Sequence, residues 1–468
     1  MRPLSSILAL MAVAGALLVP ASQAMAQGPS ASGETIWFTS AEVGVGPIGD
    51  DLYLHLRPRL TLLRPTSSPI CADDQPTCDL LLEATVEAPL RLGLEGDDRG
   101  RLRQRDWSQA RDATRLIRRL QFGAASDPFS LHLGELGATS LGHGTLVDGF
   151  FNRITTDHHA LGFRLQAHQP RWEVQTFTND VLSPYLLGAH LRGRPPVLYD
   201  ETSSLQRLQV GASLAVDANA PRSLDGDQVT TDAHWPAVQD SQATALLGLE
   251  LSYPLLRRQR LALTSYADWN HHFDIGRGLH LGLLADLDLS EGVQLSGRLE
   301  YRRLSDRYLP DYFDPLYEIS RYQFRLHHDA SPQPKLSAIA NADSQRRHGG
   351  RIQLQTRIEG LMSFSASLAD ASGWTGASLR LRASFDYDER SRFGLFYASQ
   401  APGHQSFSAS LADLLTFQDS VAVAEGRTQI RGPLYALGQL GRQWQLQSDG
   451  TFDSLLLWHL GAGVGAQF

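Results

Sequence analysis

The last seventeen residues constrain the fold most. From Phe452 to Phe468 the even positions read Phe452, Ser454, Leu456, Trp458, Leu460, Ala462, Val464, Ala466, Phe468. The odd positions read Asp453, Leu455, Leu457, His459, Gly461, Gly463, Gly465, Gln467. A period of two with one apolar row is the pattern of a strand and not of a helix. The run is far longer than the five or six residues usual in a soluble sheet. It also exceeds the roughly nine to eleven that a tilted strand needs to cross hydrocarbon.

The same rhythm recurs upstream. Leu52, Leu54, Leu56, Leu60 and Leu62 share a face, with Tyr53, His55, Arg57, Arg59 and Thr61 on the other. Leu80, Leu82, Ala84, Val86, Leu90, Leu92 and Leu94 alternate with Glu83, Thr85, Glu87, Arg91 and Glu95. Pro58 and Pro89 are awkward in a paired strand and predict bulges or breaks. Later candidates include Leu141–Arg153, Leu205–Val216, Ala243–Pro254, Val293–Leu304, Tyr317–His327, Arg351–Glu359 and Ala377–Asp388. Discounting some as loop or inward-folded plug, the pattern predicts roughly 18 strands, within 16 to 22, and an even number.

At the other end, Met1-Arg2, an apolar run from Ile7 to Val19 and Ala24-Met25-Ala26 read as a cleaved signal peptide over residues 1–26. Residues 27–50 form a leader, a possible first strand or a plug segment; residues 51–468 form the repeating body. No other stretch approaches eighteen apolar residues, which excludes helical spans. A hydrophobic content of 42% and a mean hydropathy of -0.23 suit a soluble protein and a barrel equally, because only alternate barrel residues meet lipid.

Three features point the same way: the leader, the strand lengths, and a chain ending on Phe468 behind alternate apolar residues. Together they resemble the bacterial outer-membrane β-barrels, whose closing strand ends in an aromatic residue. The resemblance implies an all-β, transmembrane, antiparallel up-and-down barrel with a polar lumen. It implies Phe468 as an assembly signal, an outer-membrane location, and lipids, lipopolysaccharide and the barrel-assembly machinery as partners. In size the chain is similar to substrate-specific porins, alginate-export barrels and capsule-assembly barrels. Short turns should gather at the rim bearing the chain ends and long loops at the other. Ser290-Glu291-Gly292, Arg431-Gly432-Pro433 and Leu255–Arg258 fit the first group; Asp217–Gln242 and Asp306–Pro315 fit the second. Asp329–Gly349 is long but falls on the short-turn side, so either the strand number around it is wrong or it folds inward.

A net charge of -8 argues against nucleic acid as a partner. Lys335 is the only lysine, an arginine bias that a GC-rich genome explains. Cys71 and Cys78, in an exported chain, predict a disulfide pinning a hairpin loop. The face opposite the apolar row carries the candidate lumen and solute-binding residues: Arg57, Arg59, Arg298, Glu300, Arg302, Arg351, Arg357, Arg380, Arg382 and Asp386. Rows of such charges orient dipolar solutes and bias ion passage.

Other motifs read blandly. Gly44-Val45-Gly46-Pro47-Ile48-Gly49 matches a dinucleotide fingerprint, but a strand follows it where a helix is needed, so it is a turn. The common hydrolase, metalloprotease and nucleotide signatures are absent. The stretch 141–152 is glycine-rich and then aromatic, a kinked strand or plug element. His143 with Asp157, His158 and His159 is a conceivable acid–base set. His271-His272 and His327-His328 read as interfacial, since strand neighbours face opposite ways. Asp225-Gly226-Asp227 with Asp232 is a coincidental calcium pattern. No catalytic residue, cofactor or metal is assigned. The expected function is a porin-like channel passing or binding a small polar or anionic solute. The alternatives are a barrel for attachment or export of an anionic polysaccharide and, third, a membrane-embedded hydrolase using His143 or the Asp157-His158-His159 run.

Overall fold

Alternation along a strand leaves every backbone N–H and C=O seeking a partner beside it, and in hydrocarbon only a closed ring satisfies them all. The computed structural model describes residues 35–467, except 69–77, 125–126, 154–158, 170, 196–206, 226–235, 327–330, 389, 402–412, 416–419 and 447–450. The expected signal peptide, Cys71, Asp157, His158, His327, His328, Asp232 and Phe468 therefore lie outside the described residues.

The strands are β1 (Ile36–Ile48), β2 (Asp51–Ser68), β3 (Cys78–Glu87), β4 (Leu90–Gly93), β5 (Ile117–Phe122), β6 (Phe129–Gly134) and β7 (Gly162–Gln169). Next come β8 (Trp172–Thr178), β9 (Leu186–Gly193), β10 (Gln209–Leu224), β11 (Val238–Arg258), β12 (Leu261–His272), β13 (Gly276–Ser290) and β14 (Val293–Asp306). The last are β15 (Arg347–Ile358), β16 (Met362–Ala371), β17 (Gly376–Asp388), β18 (Ser391–Gln400), β19 (Ser420–Arg431), β20 (Leu434–Leu446) and β21 (Phe452–Gln467).

Each pairs antiparallel with its neighbours in the ring, and β1 closes on β21 from Phe38↔Gln467 to Val45↔Leu460. β3 and β4 both pair with β2 and are one stave interrupted at Ala88-Pro89, where Leu90 N–H donates to Ala88 O at 3.0 Å. The β4 piece pairs with β2 alone. Pro89 therefore breaks its strand, whereas Pro58 stays in unbroken register opposite Ala41. The ring has twenty staves, an even number and two more than the roughly 18 expected. Gly44 and Gly46 of the supposed turn lie inside β1; only Gly49, at φ 63°, turns the chain.

The two faces separate as the alternation requires. On β14, Leu299 and Tyr301 are exposed outward while Arg298, Glu300 and Arg302 point in; Leu299 stands opposite the exposed Ile352 of β15. Leu456, Trp458 and Leu460 continue this outward band on β21. Rows of uncovered large apolar side chains on every side of a closed sheet are stable in a lipid surround.

Tight turns cluster at the rim of the chain ends, at 259–260, 291–292 and 432–433, with Gly292 and Gly432 at positive φ. Leu255–Arg258, read as a turn, is the end of β11. Long connections stand at the opposite rim: 94–116, 135–161 and 307–346. The last resolves the conflict over Asp329–Gly349. Tyr317–His327 is not a strand: it contains helix α1 (Tyr317–Ser320), so the whole of 307–346 is one connection, which also holds helix α2 (Lys335–Ala340). Leu141–Arg153 is likewise no strand, because Gly142, Gly144 and Gly149, at φ 52°, 73° and 70°, turn it repeatedly.

Candidate functional site

A ring of twenty staves is too wide for wall side chains to fill. Two connections of the far rim, 135–161 and 307–346, fold inward instead. They meet in backbone contact: Asp148 N–H donates to Phe313 O at 3.0 Å, and Phe313 N–H to Leu146 O at 3.1 Å. Leu146, Val147 and Phe150 from one segment, with Tyr312, Phe313 and Tyr317 from the other, bury themselves against Phe177, Ala215 and Leu246 of the wall.

The longer segment crosses the lumen. At one side Arg321 clasps Asp217 of β10, Nε to Oδ2 at 2.7 Å and Nη2 to Oδ1 at 3.2 Å, and Tyr317 OH donates to the same carboxylate at 2.7 Å. At the other, Gln323 Nε2 donates to Phe452 O at 3.1 Å and Phe452 N–H to Gln323 Oε1 at 2.9 Å. β10 and β21 stand almost half-way round the ring from one another. Lys335, the only lysine, is fully buried in this segment and donates to Tyr312 O at 2.6 Å and Asp314 Oδ2 at 3.1 Å.

Glu318 on α1 is fully buried, with its carboxyl bonded to Tyr185 OH and Arg321, Asp217, Asp180 and Tyr322 nearby. Burial pushes this carboxyl up to about 8, outweighing the Tyr185 hydrogen bond and Arg321. A raised acid contributes its stability below its unfolded value, and loses it as pH rises through the folded one. Docking of the crossing segment should therefore weaken between about pH 4.5 and 8. Channel current noise is expected to increase from pH 6 to 9 in the wild type and to stay flat in Glu318→Gln. Equal noise profiles would refute this.

The lumen residues expected from sequence divide into three groups. Arg298, Glu300, Arg302, Arg351 and Arg380 point inward, and the first four are buried in ion pairs. The side chains of Arg298, Arg302 and Arg351 are only 8%, 3% and 2% exposed. Glu300 binds Arg298, Arg302 (Nε–Oε1 2.6 Å) and His280 (3.2 Å). Arg351 and Arg380 converge on Asp148 Oδ2 at 2.5 and 2.9 Å, and Arg302 reaches Asp311 Oδ2 at 2.9 Å. Asp148 and Asp311 arrive on the inward-folded segments and Glu300 stands on β14 itself, and pairing makes burial of the arginines tolerable. Around Asp148 the guanidinium groups hold its carboxyl well below the usual carboxylate range. Arg357, Arg382 and Asp386 lie on the same inward rows nearer the terminal rim; both arginines are exposed, and Asp386 pairs with Arg392 at 2.5 Å.

Arg57 and Arg59 belong to a third place, a cavity of about 230 Å³ between β1–β5, the β20–β21 wall and the 135–161 segment. Arg91, Arg115, Arg118 and Arg153 join them, against only Glu87 and Glu135 as lining acids. Arg59 Nε bonds Glu87 at 2.8 Å; Arg118 and Arg153 share Glu135, the latter at 3.2 Å. Arg91 and Arg115 are tied back to Asp106 and Asp112 at 3.1 and 3.4 Å. Arg57 stands between, with Glu87 and Glu42 as its attractive neighbours. The cavity keeps a surplus of positive charge, and His159, from the inward segment, is pushed down to about 4 by burial and Arg153. Liquid water takes about 30 Å³ per molecule, so the space holds several waters or one small carboxylate.

Sequence reading missed Asp148, Asp311, Asp217 and Arg321 as partners, and Arg118 and Arg153 as lining. Two of them had a signal: Asp148 and Arg153 sit in or beside the glycine-rich stretch that was singled out. Of the neighbours proposed for His143 the structure describes only His159, which lines the basic cavity while His143 packs against the opposite wall.

No protein-family model matches the chain, and no curated protein does. Solved structures do. Pseudomonas aeruginosa OccK5 (OpdH) is 12% identical with a TM-score of 0.34, over 93% of this chain and 98% of that one. Acinetobacter baumannii OccAB4 is 11% identical with a TM-score of 0.34, over 94% and 100%. Pseudomonas aeruginosa OpdK with vanillate is 10% identical with a TM-score of 0.32, over 93% and 99%.

Proposed function

We propose that the chain is an outer-membrane channel for small polar solutes that favours anionic ones, and not an enzyme. The observation that carries this reading is the arginine-lined cavity left beside a segment that otherwise crosses the lumen. Fixed guanidinium groups with surplus charge raise the local concentration of carboxylates and lower the barrier to their passage. The apolar outer band calls for lipid and lipopolysaccharide around the barrel, and Phe468 for recognition by the assembly machinery. Cleavage after residue 26 and a Cys71–Cys78 disulfide complete the reading, and both are measurable as the intact mass of the mature protein. The occluded lumen weighs against a wide duct for a polysaccharide.

Refolded protein in a planar bilayer under a salt gradient tests the channel. Discrete conductance steps with a reversal potential on the anion side are expected. In Arg57→Ala/Arg59→Ala the anion preference should fall roughly twofold or more, with the heat-modifiable gel shift of the barrel retained. Absence of any conductance, or a double variant with wild-type selectivity, would sink this reading.

A further inference from the structure

On the wall made by β9, β11 and β12, away from the basic cavity, ligand atoms of three side chains all lie within 4.8 Å of one another. They are Glu250 of β11, Asp268 of β12 and His143 from the inward segment 135–161, with His190 of β9 beside Glu250. His143 Nδ1 lies 2.9 Å from Asp268 Oδ1 and 3.6 Å from Glu250 Oε2; His190 Nε2 lies 3.6 Å from Glu250 Oε1. His190 Nε2 and Glu250 Oε1 are buried and make no hydrogen bond, so two strong polar groups face each other across a gap too long to close. Such orphaned atoms are costly unless something sits between them. Nitrogen and oxygen ligands lie about 2.0–2.2 Å from a zinc-class ion, which puts neighbouring tetrahedral ligands roughly 3.3–3.6 Å apart. The two 3.6 Å gaps fit, and the 2.9 Å contact between His143 and Asp268 is a hydrogen bond that opens by a few tenths of an ångström to admit the ion.

Charge and support agree. Glu250 and Asp268 are buried carboxylates, 5% and 3% exposed in their side chains. Their nearest guanidinium, Arg192 Nε at 3.8 Å from Glu250, is already paired with Glu173. Arg298 touches only the His143 carbonyl, at 2.5 Å, and is bonded otherwise to Glu300 and Tyr266. A divalent cation would neutralise the pair. The far sides of the ligands are held as metal ligands usually are. Ser213 Oγ is 2.9 Å from His190 Nδ1, Ser252 Oγ is 3.1 Å from His143 Nε2, and Thr145 Oγ1 donates to Asp268 Oδ2 at 3.1 Å. Gly142, at φ 52°, lets the segment come this close: a Cβ there would lie 2.7 Å from Glu250 Oε2 and 2.9 Å from His190 Cε1.

We propose that His143, Glu250 and Asp268 bind one divalent transition-metal ion of the zinc class, with His190 flanking Glu250, fastening the 141–149 stretch to the barrel wall. The absence of a metal motif in the sequence follows from spacing: His143 and Asp268 are 125 residues apart. The site stands independently of the channel reading. Ser252, His143 and Asp268 also align as a nucleophile, base and orienting acid would, but the Ser252 side chain is buried.

The full chain, folded in detergent and stripped with EDTA, is titrated with Zn²⁺ by calorimetry and with Co²⁺ by visible absorption. One equivalent per chain is expected, with the intense visible bands of low-coordinate Co²⁺. His143→Ala and Glu250→Gln, screened for an unchanged heat-modifiable shift, should weaken Zn²⁺ about 100-fold or more. Ser252→Ala, which removes only the support of His143, should weaken it about tenfold and keeps the test decisive if the ligand variants do not fold. Three results would overturn the proposal: no stoichiometric binding by the wild type, wild-type affinity in the folded variants, or covalent labelling of Ser252 by a fluorophosphonate without metal uptake.

Discussion

Replacing residues 309–342 with a short Gly/Ser linker is expected to raise single-channel conductance by about an order of magnitude, because a ring this wide leaves an aqueous channel once nothing crosses it. The segment is the main obstruction: it is anchored on β10 through Asp217 and on β21 through Phe452, nearly opposite one another. The ring should survive the deletion. Its ladder hydrogen bonds run strand to strand, and none of the twenty staves is contributed by the segment. Exposing Phe177, Ala215 and Leu246 to the lumen would cost stability, read as a lower melting temperature with the barrel's gel shift intact. A deletion variant that folds yet conducts like the wild type would show that ions pass elsewhere.

The largest single-residue effect on stability is expected from Asp217→Ala. Asp217 is fully buried, and Arg321, 4% exposed, depends on it for a bidentate clasp. Removing one partner of a buried pair leaves an uncompensated charge and costs about 3–5 kcal/mol. Arg321 also lies 4.0 Å over the Tyr185 ring and bonds Asn219 O at 2.8 Å, which recovers a small part of that. Denaturant unfolding in detergent should show a midpoint well below wild type for Asp217→Ala. In Asp217→Ala/Arg321→Met, where no charge is left stranded, most of the loss should return. Equal midpoints for the single and double variants would contradict the stranded-charge account.

How much was legible can be argued residue by residue. Arg298, Glu300 and Arg302 were assigned to one face by alternation, and the structure keeps them there with Leu299 and Tyr301 on the other. A one-residue slip would carry every charge into lipid, so sequence patterning specifies face strongly. Tyr317–His327 defeated the same method, because an apolar run that packs inside a barrel looks like one that forms its wall. The parity conflict at Asp329–Gly349 was the available clue, and it named inward folding as one of two explanations.

The environment of each inward charge was not legible. Arg351 and Arg382 sit on equivalent rows, yet Arg351 is buried against Asp148 while Arg382 is exposed. Asp148 reaches Arg380 across 232 residues. Glu250 and Asp268, candidates for a metal, read as ordinary members of their strands.

The amino-acid order by itself determined long strands with one apolar side, a pattern a second packed sheet would also accept; the strand lengths, the leader and the terminal Phe468 are what pointed to a closed ring in hydrocarbon. It also determined which residues turn inward. Tertiary structure alone decided which of those inward residues meet water, a carboxylate or one another. The reason is physical: two connections that carry no periodic signal fold into the ring, and the desolvation they impose and the charges they bring set the state of every group they cover.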